Sequence, residues 1–171
     1  MKRFKTQTPT EMDRESFVQV FGGVYEHSQW IAEQVWDGGL DASHSTINGL
    51  QRAMQAVIEE AGHEPQLALL RAHPDLAGKL AVSGKLTKES TGEQASAGLD
   101  ECTQEEFEAF QTLNARYKEK FGFPYILAVK GRHRSEILKN FTKRVELDAV
   151  DEFSEALSQV HQIALLRLSD L

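Results

Sequence analysis

The chain has one cysteine, four prolines and no apolar run longer than a few residues, and each shortage removes a class of protein. A lone thiol, Cys102, cannot close an intrachain disulfide, so the sequence is expected to suit a reducing cytosol. Stretches such as 68–70 and 125–129 fall far below the roughly 18 apolar residues that span a bilayer. The first residues are basic with no apolar core behind them, so no secretory signal is expected. The closing Arg-Leu-Ser-Asp-Leu is not a peroxisomal Ser-Lys-Leu address, which leaves the cytoplasm as the expected location. No excess of positive charge is present either. With 19 basic against 26 acidic residues, a net −7, the chain would repel a phosphate backbone, and nucleic acid is not an expected partner.

Metal and phosphate signatures are missing too. There is no His-Glu-x-x-His, no paired cysteines, no Gly-x-Gly-x-x-Gly and no Walker loop. The histidines at 27, 44, 63, 73, 133 and 161 have no ligand spacing. Neither a metal nor a cofactor is expected.

What is there is helical periodicity. Thr10 to Asp13 reads as a capping box ahead of Phe17, Val18 and Phe21, stopped by Gly22-Gly23. Tyr25, Trp30, Ile31 and Val35 suggest a short second helix, and a third runs from about Ser43 to Ala61 with Gly62 behind it. A fourth starts at Pro65 and is ended by Pro74. Thr103 with Glu106 caps a long amphipathic helix that ends before Gly122. Two more follow, from Ser135 to about Leu147 and from Asp148 to Leu168, the last with Val150, Phe153, Leu157, Val160, Ala164 and Leu168 on one face. The expectation is an all-α single domain over residues 1–171, a compact bundle of about seven to eight helices. Its one buried extended segment is Pro-Tyr-Ile-Leu-Ala-Val, a strand-like stretch with no strand to pair with.

Three segments break the periodicity with polar residues in apolar surroundings. In Arg-Ala-His-Pro-Asp-Leu-Ala-Gly-Lys-Leu, residues 71–80, a residue before proline is pushed out of the α region. His73 is therefore expected at a helix end, where the macrodipole favours its protonated form. That suits an imidazolium giving up a proton near neutral pH, and a plain helix cap explains the position as well. Asp75 and Lys79 are expected to be solvated or to bond the local backbone. In the second segment, residues 89–100, a helix opening at Ser90 sets Ser90, Glu93 and Gln94 at i, i+3 and i+4 on one face. Ser90 with Glu93 also fits a capping box. In the third, residues 121–132, extended buried main chain can bind a flat ring bearing amide-like groups, or Phe123, Tyr125, Ile126 and Leu127 simply pack. Arg167 interrupts an apolar face near the carboxyl end and is expected to meet a carboxylate or to snorkel.

Taken together and in this order, Arg-Ala-His-Pro-Asp-Leu-Ala-Gly-Lys, Ser-Thr-Gly-Glu-Gln-Ala-Ser-Ala-Gly-Leu and Phe-Gly-Phe-Pro-Tyr-Ile-Leu-Ala-Val-Lys-Gly-Arg, with Ala-Leu-Leu-Arg-Leu near the end, resemble the OHCU decarboxylase family over nearly the whole chain. The resemblance implies an all-α homodimer that decarboxylates a small ureide, OHCU, to (S)-allantoin without a cofactor. It implies His73 as the proton donor with Glu93 as its catalytic companion. Pro74, Ser90 and Gln94 would bind substrate, Tyr125, Ile126, Leu127, Ala128 and Val129 would do so through main chain, and Arg167 matches the family's late arginine. The sequence departs from the family pattern after Tyr125, where Lys130 and Arg132 both match one basic position. Two other readings stay open at this stage, a helical interaction module and a hydrolase of a related ureide in which Glu93 activates water.

Overall fold

A computed structural model describes residues 2–78 and 86–171. Among them the architecture is all-α, with eight α-helices, two short 3-10 helices, no strand and one isolated bridge between Arg3 and Thr46. The chain divides into two units, Met1–Ala72 with Val160–Leu171, and His73–Gln159.

In the first unit, α1 (Arg14–Phe21) is capped by Asp13, whose carboxylate accepts the Ser16 N–H at 2.8 Å. Thr10, expected to cap it, sits in a 3-10 turn (Pro9–Glu11) instead. Helix α2 is Trp30–Asp37. Helix α3 (Ile47–Ala61) takes Thr46 as N-cap and ends at Gly62, whose φ of +85 only glycine adopts freely. Helix α4 (His63–Ala72) begins two residues before Pro65. The proline fits the first turn because its missing N–H would have had no helical partner there. Phe17, Leu50, Met54, Ile58 and Leu70 are buried at the centre of this unit.

In the second unit, α5 is Lys88–Ser96 and α6 is Gln104–Phe121. The expected capping box of α6 is present: Thr103 Oγ1 accepts the Glu106 N–H, and Glu106 Oε1 accepts the Thr103 N–H at 3.1 Å. Acids fill its first turn and lysines its last, as the macrodipole favours, and left-handed Gly122 ends it. Helix α7 is Arg134–Arg144. Helix α8 (Ala149–Asp170) starts in this unit and finishes in the first. Val150, expected on the inward face of α8, is 79% exposed. It lies on a first turn whose neighbours Ala149 and Asp151 are exposed as well.

The core of the second unit is aromatic. The Tyr117 ring meets those of Phe121, Phe123, Tyr125 and Phe141 at centroid distances of 4.5 to 5.8 Å, and Tyr125 stacks on Phe141 at 3.8 Å. Each such pair adds about 0.5–1.5 kcal/mol beyond the area it buries.

The Glu106 carboxyl titrates below its usual 4.5, chiefly because the Thr103 N–H donates to it and secondly because Arg134 does. Folding therefore favours the carboxylate, and the folded chain binds fewer protons than the unfolded one. Its contribution is complete above pH 4.5 and is lost as pH falls through the lowered folded value. In melting curves across pH, the gap between wild type and Glu106→Gln is expected to be widest near neutrality and to close in acid. A gap that stays the same from neutrality down into acid would contradict this origin.

Candidate active site

Helix α4 stops at Ala72, and His73 follows it, 8% exposed, with Pro74 preventing any further helical turn. The chain then bends through residues 75–77. Ala77 has φ +50, a left-handed conformation that costs a residue bearing a Cβ about 1–3 kcal/mol and persists only when its surroundings hold it. They do. Gln94 Oε1 accepts the Ala77 N–H at 3.0 Å while Gln94 Nε2 donates to the Asp75 carbonyl at 3.2 Å. Asn114 Nδ2 donates to the Leu76 carbonyl at 3.0 Å, and Gln111 Nε2 to the Ala77 carbonyl at 2.8 Å. Asp75, expected to be solvated or to bond the nearby backbone, instead pairs with Lys118 at 2.7 Å. Lys79 lies outside the described residues.

The cap of α5 differs from expectation. Thr87 Oγ1 accepts the Ser90 N–H at 3.2 Å, so Thr87 is the N-cap and Ser90 sits in the first turn. The Ser90–Glu93 capping box is therefore not formed. Ser90 and Gln94 are buried and Glu93 is half-buried, one turn of helix carrying all three. The structure thus brings α5, through Gln94, against the 75–77 turn that follows His73–Pro74.

Residues 123–129 are buried and carry no helix, strand or turn, as the sequence led one to expect. Two of their main-chain groups are paired by side chains. Arg144 Nη1 donates to the Ile126 carbonyl, and Gln159 Oε1 accepts the Ala128 N–H at 3.0 Å. The Val129 carbonyl accepts the Arg132 N–H at 2.9 Å. Leu127, 3% exposed, makes no main-chain hydrogen bond among the described residues. The same Arg144 donates to Glu152 Oε1 from Nε at 2.8 Å and lies 4.6 Å from the centroid of the Tyr125 ring. Burial pulls the Arg144 guanidinium toward neutrality, but the hydrogen bond and charge of Glu152 outweigh it and hold its pKa above the usual value. The Tyr117 hydroxyl also donates to Glu152 Oε1, and burial, then that carboxylate, push the phenol far up, so it stays a neutral donor.

Arg167 belongs to the first unit. It meets a carboxylate, as one of the two sequence readings held: its guanidinium pairs with Glu26 at 2.9 Å, both side chains buried.

Sequence reasoning missed Gln111, Asn114, Arg144, Glu152, Gln159 and Glu26. Asn114, 3% exposed on the same face of α6 as Phe110 and Tyr117, carried the one usable signal, a polar residue where the helical period calls for an apolar one.

The family model for OHCU decarboxylase matches residues 10–169. A 2-oxo-4-hydroxy-4-carboxy-5-ureidoimidazoline decarboxylase of Halalkalicoccus jeotgali is 42% identical over 171 residues, covering all of this chain and 93% of its own. The enzyme of the same name from Haloferax volcanii is 41% identical over 170 residues, 99% of this chain and 97% of its own. Among solved structures, an (S)-allantoin synthase superposes with a TM-score of 0.72 at 31% identity over 94% of this chain, which spans 51% of that protein.

Removing one member of a buried ion pair strands the other. Arg144→Met is expected to cost about 3–5 kcal/mol in denaturant unfolding, and Arg144→Met with Glu152→Met to recover most of it. A single variant as stable as wild type would show that the pair does not support the 123–129 segment.

Proposed function

This chain belongs to the OHCU decarboxylase family, and from that premise we propose that it converts 2-oxo-4-hydroxy-4-carboxy-5-ureidoimidazoline (OHCU) to (S)-allantoin in urate breakdown. The observation that carries the reading is the pair of hydrogen bonds by which Gln94 donates to the Asp75 carbonyl and accepts the Ala77 N–H, which sets the turn directly after His73–Pro74 against the Ser90–Gln94 helix.

The chemistry needs little beyond positioning and a proton. The carboxylate sits on a ring carbon that also bears a hydroxyl, next to a C=N bond at the ureido-bearing carbon. When the carbon–carboxylate bond breaks, its electron pair becomes a double bond between the two ring carbons, and the C=N pair moves to nitrogen, which takes up a proton. The enol so formed loses its hydroxyl proton to become the carbonyl of allantoin, while the ureido-bearing carbon gains a proton and becomes the stereocentre. The substrate is its own electron sink, so no carbanion-stabilising cofactor is called for.

In this reading His73 delivers that last proton to one face, which fixes the (S) configuration. Glu93, half-buried one residue before Gln94, orients the hydroxyl and accepts its proton. Ser90 and Pro74 shape the floor. Gln94 spends one N–H and one lone pair on the loop, and an amide has a second of each for the ring. The main chain of 125–129 meets the ring and ureido amides, foremost the Leu127 peptide groups, which make no hydrogen bond among the described residues, since buried peptide groups are rarely left without a partner. Arg167 is assigned the substrate's negative group by family likeness alone. The protein acts as a cytoplasmic carboxy-lyase and a homodimer, each protomer a single domain over residues 1–171.

Circular dichroism on freshly generated OHCU separates enzymatic from spontaneous reaction, because the spontaneous one yields racemic allantoin. His73→Asn and Glu93→Ala are each expected to slow (S)-allantoin formation by about 10²–10⁴-fold with normal folding. Full stereospecific activity in His73→Asn would sink the donor assignment, and ammonia in place of CO2 would favour a hydrolase.

A further inference from the structure

We propose that Gln111 and Asn114 are positioning residues for His73, gripping the loop that follows it so that the imidazole holds one direction. The inference rests on His73 being the proton donor.

The geometry is ordered. Along α6, residues 111, 114 and 118 fall at i, i+3 and i+7, one face of the helix. They meet the loop in reverse sequence: Lys118 takes the Asp75 side chain, Asn114 the Leu76 carbonyl and Gln111 the Ala77 carbonyl. Seven helical residues rise about 10.5 Å, at roughly 1.5 Å each. Two steps of loop span at most about 7.6 Å, at about 3.8 Å each. The longer lysine and glutamine at the ends, and the shorter asparagine in the middle, take up the difference. From the other side Gln94 holds the Asp75 carbonyl and the Ala77 N–H. Three successive carbonyls are thus taken by three separate side-chain amides.

A buried carbonyl needs some partner, but packing alone does not explain this set. A leucine at 114 would keep the branched shape of asparagine, with more bulk, and would suit the apolar character of a position between Phe110 and Tyr117 on a buried helical face. What asparagine adds is a donor aimed at the peptide three residues after His73. The left-handed Ala77 shows how closely the path is determined, since a loop free to relax would leave that conformation. The held turn at 75–77 is joined to His73 through Pro74 alone, and proline has no φ freedom. A shift of the loop therefore passes to the imidazole.

The measurement compares Asn114→Leu, Gln111→Leu and wild type in three ways: kcat and KM on fresh OHCU, enantiomeric excess of allantoin, and the NMR signals of the His73 ring with the exchange rate of the Ala77 amide. A misplacement of about 1 Å costs on the order of 10²-fold in rate. The expected result is kcat lowered by about that factor, KM within about threefold, lower enantiomeric excess, a shifted His73 ring signal and faster Ala77 exchange, at near-native helicity. Gln111, half-buried, supplies the decision should Asn114→Leu fail to fold. Folded variants with wild-type kcat and enantiomeric excess would overturn the inference. Should wild type itself fail to accelerate the reaction, the proposed function falls separately, and an unchanged His73 signal and Ala77 exchange in the variants would overturn the positioning role on its own.

Discussion

Buried main chain that is not helical has no ladder to bond to, and an all-helical unit offers no neighbouring strand in its place. In the second unit two non-helical stretches among the described residues, the turn at 75–77 and the segment at 123–129, are met by side chains reaching out of helices: Gln94, Gln111 and Asn114 on the first, Arg144 and Gln159 on the Ile126 carbonyl and the Ala128 N–H of the second. Each of these residues is a cost to its own helix, since a buried amide or guanidinium gives up its water, and Asn114 Oδ1 is left with no partner among the described residues. The return is side-chain support for two irregular stretches, both in the unit that carries His73.

The guanidinium of Arg144 shows how far one residue can serve this end. It is ionised because Glu152 faces it, flat enough to lie over Tyr125, and forked, so that one arm reaches the Ile126 carbonyl while others stay on the carboxylate. Lysine could supply the charge but not the three directions. Helix α8 contributes in the same manner along its length, with Glu152, Gln159 and Arg167 turned inward and each engaged with a different element.

The local features were legible and the distant ones were not. Thr103 with Glu106, Gly62, Gly122 and the helix end at His73 were readable because caps and stops are written within four residues of one another. Where two caps competed locally, the reading went astray. Thr87 displaced Ser90 because the serine faces inward, and Asp13 displaced Thr10 because a 3-10 turn consumed the threonine. The extended buried segment was found from its composition, yet its partners Arg144 and Gln159 were not, since no spacing rule links 126 to 144 or 128 to 159. Arg167 was noticed as an interruption of an apolar face. That its partner would be Glu26, at the other end of the chain, lies beyond anything periodicity encodes.

The three amides on the 75–77 turn are electrically neutral. A hydrogen bond between an amide and a carbonyl does not titrate between mild acid and mild base, and added salt does not screen it as it screens a pair of exposed charges. Lys118 with Asp75, an ionic contact on that turn, is partly exposed and adds little by comparison. The turn after His73 is therefore set by contacts that stay the same while the solution changes around them. Variation of the reaction with acidity or ionic strength then belongs to the reacting groups themselves, and not to the frame that carries them.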